Sequence, residues 1–141
     1  MNYAMEIHDS CLEEVICNTD GTGYALFNAS IFRSEGQVFK GADESGWQKL
    51  RFDFEGMQIE GEVGELKTWA SGGTLCVDDV EQKHAIFLPA NHEGKIVFEM
   101  CLLDDDRILK IHARKVRSNL IGEFELEGRW DASGNFTRAN A

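Results

Sequence analysis

Between Arg107 and Gly128 the side chains alternate so regularly that the segment reads as extended chain with one apolar and one charged face. Leu109, Ile111 and Ala113 interleave with Lys110, His112 and Arg114. Beyond Arg117-Ser118-Asn119, Phe124 and Leu126 interleave with Glu123, Glu125 and Glu127. Successive strand residues point to opposite faces, so a period of two marks a half-buried strand. A turn at Ser118-Asn119 sets Lys110 opposite Glu127, His112 opposite Glu125 and Arg114 opposite Glu123. Opposite charges across a ladder contribute roughly 0.2–1 kcal/mol each. His112 then reads as a structural histidine before a catalytic one.

The same arithmetic registers two further hairpins, because a slip of one residue would send every side chain to the wrong face. A turn at Glu55-Gly56 places Phe54 opposite Met57, Phe52 opposite Ile59, Arg51 opposite Glu60 and Lys49 opposite Glu62. A turn at Asp105-Asp106 places Leu102 opposite Leu109, Met100 opposite Ile111, Phe98 opposite Ala113 and Glu99 opposite His112. An X-Gly pair suits the primed turns that hairpins prefer.

Along the rest of the chain, alternation recurs with turn signals at the spacing of an all-β sandwich or barrel. Short strands are expected near 4–8, 12–18, 23–32, 48–55, 57–63, 73–77, 83–88, 95–103, 107–116 and 120–128. A short helical turn fits 40–47 or 64–70, and 33–46 is the longest irregular stretch. The fold expected is therefore all-β: an antiparallel sandwich or partly closed barrel of about eight to ten short strands. It forms one domain over 1–130, with 131–141 as a flexible tail. The core is expected to include Phe27, Ile31, Leu50, Phe52, Phe54, Ile59, Leu75, Ile86, Leu88, Ile96, Phe98, Met100, Leu109, Ile111, Phe124 and Leu126.

Charge narrows the partners. The formal net charge is −11 over 141 residues. Nucleic-acid backbones and anionic membranes need clustered Lys and Arg, so neither is an expected partner. A basic protein is, since an acidic surface would steer it in. No apolar run approaches the ~20 residues of a membrane-spanning helix. The first residues lack the basic and apolar regions of a secretory signal. Cys11, Cys17, Cys76 and Cys101 show no C-x-x-C spacing, so a cytoplasmic protein with reduced thiols is expected.

Several clusters could carry chemistry. His8-Asp9-Ser10 contains the residue types of a catalytic triad, but contiguous strand residues point to opposite faces, and triads assemble from distant positions. The alternative is a strand end and turn, with Asp9 and Ser10 bonding local backbone. Asp104-Asp105-Asp106 and Asp78-Asp79 offer oxygen ligands without EF-hand spacing, and Asp is an ordinary turn residue. His84 and His92 lack zinc-site spacing. No metal or cofactor is expected. Trp47, Trp69 and Trp130 could form a stacking surface if exposed together, although tryptophans are more often buried.

A set of short features carries a resemblance: His8-Asp9-Ser10, Ser34-x-Gly36, Gly46-Trp47, Leu50-x-Phe52, Glu60-Gly61, Phe87-Leu88-Pro89 followed by Gly94, and Gly122-Glu123. Over about 7–128 the chain resembles a group of small bacterial all-β proteins. Its opening is similar to that of immunity-type proteins linked to bacterial toxin systems. The resemblance implies a neutralising or binding role and brings no catalytic residues.

The function expected is thus a non-enzymatic acidic binding module for a basic protein partner. Two alternatives stand beside it. One is a small-ligand or glycan-binding domain with a Trp-lined cleft. The other is a metal-dependent enzyme using His8 and Asp9 or the Asp104–Asp106 turn. The binding residues expected are His8, Asp9, Ser10, Trp47 and Trp69.

Overall fold

The computed structural model describes residues 1–64, 67–103 and 106–139. The strands are β1 (Asn2–Cys17), β2 (Gly23–Ser34), β3 (Asp43–Glu55), β4 (Gln58–Glu60), β5 (Thr68–Val77), β6 (Val80–Lys83), β7 (Ala85–Leu88), β8 (His92–Leu102), β9 (Arg107–Trp130) and β10 (Phe136–Arg138). They form one antiparallel sheet of ten strands. Among the described residues there is no helix, so 40–47 and 64–70 carry none that can be described. None is therefore long and apolar enough to cross a membrane.

The sheet curls until its ends meet. β1 pairs with β2, β2 with β3, β3 with β9, β9 with β8 and β8 with β5. β5 then returns to β1 through Cys11↔Trp69 and Leu12↔Thr68 alone. The result is a partly closed barrel whose seam is short. β7 covers the first half of β1, from Tyr3↔Leu88 to Glu6↔Ala85, where β5 does not reach. The inward side chains fill the interior. Phe27, Phe52 and Phe98 are fully buried. Their ring centroids lie 5.2–6.0 Å apart. Phe27–Phe52 and Phe52–Phe98 meet edge to face and Phe27–Phe98 is stacked, arrangements that stabilise beyond the area they bury.

Most expected core residues are buried, while Ile59, Leu88, Phe124 and Leu126 are only half-buried. No disulfide links the cysteines. Residues 131–141, expected as a tail, contribute β10, which pairs with the end of β9 through Phe136↔Trp130.

The hairpin at Ser118-Asn119 does not form. β9 runs unbroken from Arg107 to Trp130 and changes neighbours along the way. Its first part pairs with β8, and its later part, from Lys115 onward, pairs with β3. Its inward positions are odd at Leu109, Ile111 and Ala113, then even from Val116. A local irregularity inside one strand therefore produces the parity change that a turn would also produce. The turn-forming side chains reach sideways instead. Ser118 Oγ accepts the Ala90 N–H at 2.7 Å, and Asn119 Nδ2 donates to Asp53 Oδ2 at 2.9 Å. Lys110, His112 and Arg114 thus do not face Glu123, Glu125 and Glu127. His112 Nε2 lies 3.1 Å from Glu60 Oε1 on β4.

The Glu55-Gly56 hairpin is also corrected. The Met57 N–H donates to the Gly21 carbonyl at 2.8 Å, which carries the chain onward. β4 then pairs with β9, as Ile59↔Ile111, rather than folding back on β3. The hairpin between β8 and β9 does form, in a register displaced by two residues: Met100 pairs with Leu109 and Phe98 with Ile111. A shift of two keeps every side chain on its face. Asp104 and Asp105 lie outside the described residues.

Candidate functional site

The site begins with an irregularity in β1. Glu6 pairs with Ser30 and Cys11 with Asn28, so residues 7–10 bulge out opposite Ala29. Asp9 has φ 69°, a left-handed conformation that Asp tolerates better than most residues. Ser10 is fully buried and splices the interrupted ladder. Its hydroxyl donates to the Glu6 carbonyl at 2.7 Å and accepts the Ser30 N–H at 3.0 Å. Bulges re-aim side chains; this one turns His8 and Asp9 outward. His8 Nδ1 lies 2.9 Å from Glu6 Oε1, and its Nε2 lies 3.1 Å from Asp9 Oδ2.

The short seam between β1 and β5 places Trp69 directly beside this bulge. On the far side, β3 carries Gly46-Trp47. A Cβ at Gly46 would collide with the Glu125 carbonyl and the Phe124 ring, so glycine is what lets β9 approach. The β3–β9 ladder slips on both sides of this point, between Ser45 and Gly46 and between Trp47 and Lys49. Glu127 emerges in that irregular stretch and accepts the Trp47 Nε1–H at 2.8 Å. The Trp47 and Trp69 rings meet edge to face, centroids 5.8 Å apart.

Trp130 closes the third side. Its Nε1–H donates to Ser45 Oγ at 3.2 Å, and its ring lies 4.9 Å from Phe136. Asp131 holds the turn between them by accepting the Ser133 and Asn135 N–H groups, each at 2.9 Å. These bonds, the Asn135 one foremost, hold its carboxyl below the usual carboxylate range.

Together these elements enclose an open cleft of about 620 Å³. All three tryptophans line it, with Phe32, Phe136, Ser30 and Ser45, and with the carboxylates of Glu6, Asp9 and Glu127. Its lining contains no Lys or Arg. Burial pushes the Glu6 carboxyl up; His8 pulls it back down and Asp9 adds to the rise. A smaller recess of about 430 Å³ adjoins it, sharing Glu6, Phe32 and Trp130 and adding Phe39, Lys40, Asp43 and Asp131. Asp43 is 5 % exposed. Its Oδ2 accepts the Phe39 N–H at 3.0 Å, whereas its Oδ1 is buried with no partner among the described residues.

The structure therefore gathers Asp9, Trp47 and Trp69 in one cleft and sets His8 at its edge. Ser10 lies inside the sheet with its hydroxyl committed to backbone, and cannot serve as a nucleophile relayed by His8. Glu6, His8 and Asp9 bring ligand atoms within 4.8 Å of one another, so they are the set to consider for a cation. Asp78 and Asp79, at φ 49° and 67°, form the two-residue turn between β5 and β6. Glu6, Glu127 and Phe136 are not among the binding residues expected from the sequence. Asp131-x-Ser133-Gly134-Asn135 is the signal that could have found Phe136, since it marks a tight turn returning the chain onto Trp130.

Comparison with known proteins finds no matching family model, curated protein or solved structure.

Proposed function

We propose that the protein is a non-enzymatic binding domain whose ligand seats in the cleft of Trp47, Trp69 and Trp130. The observation that carries this is the convergence of the chain's three tryptophans, from three strands remote in sequence, on one concave surface. Trp69 keeps 44 % of its surface exposed, an unfavourable arrangement for a large apolar ring unless something covers it. Aromatic walls with a few convergent polar groups are what small-molecule sites are built from. The test is a titration followed by indole fluorescence, using soluble oligosaccharides and organic amines as probes. A binding probe should change the emission, and Trp69→Ala should weaken its binding. A molecule that binds tightly while leaving all three indoles unchanged would refute the proposal.

A second reading, the acidic module that receives a basic protein, is favoured by the net charge of −11. It is distinguished by a strong fall in association as salt screens the exposed charges.

A further inference from the structure

The cleft has more acceptor lone pairs left free than donors, and that surplus bears on its occupant. Glu6, Asp9 and Glu127 each offer two carboxylate oxygens. One oxygen of each is engaged, by His8, His8 and Trp47 respectively. The other oxygen of each has no partner among the described residues. The donors are few. Trp47 and Trp130 have given their indole N–H groups to Glu127 and Ser45. The Ser30 N–H is taken by Ser10. Among the described residues, the side-chain donors that remain are the Trp69 indole N–H and the hydroxyls of Ser30 and Ser45.

A sugar hydroxyl both donates and accepts, so it would use only part of this acceptor surplus. An ammonium group has donors and no acceptor. It is also drawn to the faces of aromatic rings, tryptophan most of all. The lining includes no Lys or Arg; His8 stands against Glu6 and Asp9, and among the described residues no basic side chain pairs with Glu127. The nearby guanidiniums of Arg33 and Arg129 are both held by Glu44.

The adjoining recess repeats the pattern. It continues from Glu6 past Trp130 to the buried, half-satisfied carboxylate of Asp43, with Asp131 at its mouth and Lys40 as its one basic side chain. Two acidic pockets joined along an aromatic wall suit an elongated ligand with separated positive charges.

We infer that the cleft binds an alkylammonium ligand of the linear polyamine class. One ammonium lies among Glu6, Asp9 and Glu127, the alkyl chain lies along Trp130, and a second ammonium extends toward Asp43. This deepens the proposed function and rests on that reading of the cleft.

The test uses the full chain at low ionic strength, with calorimetry and indole fluorescence read together. The probes are spermidine, tetramethylammonium, neutral cellobiose and a tetralysine peptide. Spermidine should bind and alter the emission, cellobiose should not, and tetramethylammonium, lacking N–H donors, should bind more weakly than spermidine. Glu127→Gln and Glu6→Gln should each weaken spermidine about tenfold, the scale of one charge-assisted hydrogen bond. Glu81→Gln, remote on β6, should leave it unchanged. Folding of each variant is checked by its thermal melt, and exposed Glu127 serves if Glu6→Gln is unstable. Cellobiose binding without spermidine would overturn the inference and leave the cleft reading standing. Spermidine binding that ignores both substitutions would show diffuse attraction to an acidic surface and overturn it too. Tetralysine binding tighter than spermidine would replace the small molecule with a protein segment. Silence from every probe would reject the polyamine and remove support from the cleft itself.

Discussion

Ser10→Ala isolates the device on which the site is built. The Ser10 hydroxyl is fully buried and makes two short hydrogen bonds, at 2.7 Å to the Glu6 carbonyl and 3.0 Å from the Ser30 N–H. Alanine removes one oxygen and leaves almost no cavity, so the packing contribution is small. It strands two main-chain groups inside the sheet, each at about 1–3 kcal/mol. Some relaxation at the bulge is expected, which gives about 2–4 kcal/mol in total. At roughly 4 °C per kcal/mol for a chain of this size, Tm should fall by about 8–16 °C. Urea denaturation at pH 7, followed by far-ultraviolet circular dichroism, should show a lowered midpoint and an unchanged slope. Ser71→Ala is the control, since its exposed hydroxyl makes a 3.3 Å contact with the Cys101 carbonyl. It should change stability by no more than about 0.5 kcal/mol. A Ser10→Ala loss as small as that of Ser71→Ala would refute the spliced ladder.

Other perturbations reach the core, the cleft floor and its charge. Phe52→Ala, at a fully buried ring, should destabilise by about 3–5 kcal/mol in the same denaturation assay. Gly46→Ala forces a methyl group against the Glu125 carbonyl and should destabilise by about 1–3 kcal/mol while weakening any cleft ligand; a neutral effect would contradict the close β3–β9 approach. Burial raises the Glu6 pKa above 4.5, with His8 opposing and Asp9 adding to the rise, so just above that pH the folded chain holds a proton that the unfolded chain releases. Its contribution to stability therefore falls as pH rises through this window. Denaturation midpoints at stepped pH should show that slope in the parent and a flatter one in Glu6→Gln; identical slopes would contradict it.

The all-β class and most of the core were legible because period-two alternation reports burial directly. Connectivity was less so. The odd-to-even change across residues 113–116 has two physical solutions, a turn or a kink, and Ser118-Asn119 supports the turn chemically. What decided against it lies far away in sequence: Ala90 takes the Ser118 hydroxyl and Asp53 takes the Asn119 amide. The β8–β9 register slipped by two for a related reason, since pairing Met100 with Leu109 or with Ile111 leaves the same faces inward. Trp47, Trp69 and Asp9 were recognisable as residue types. Their meeting was not, because it depends on a bulge at Ser10, a short barrel seam at Trp69 and a glycine under Trp47. Glu127's place in the cleft is hidden for the same reason: alternation alone pairs it with Lys110 across a ladder.

The most direct test of the account is the ¹H–¹⁵N spectrum of the indole N–H groups, of which the chain has three. Spermidine, titrated into the labelled protein, should shift the Trp47, Trp69 and Trp130 signals together along one binding curve. Saturating binding that leaves the indoles still, or moves only the exposed Trp69, would contradict a shared cleft as the functional site.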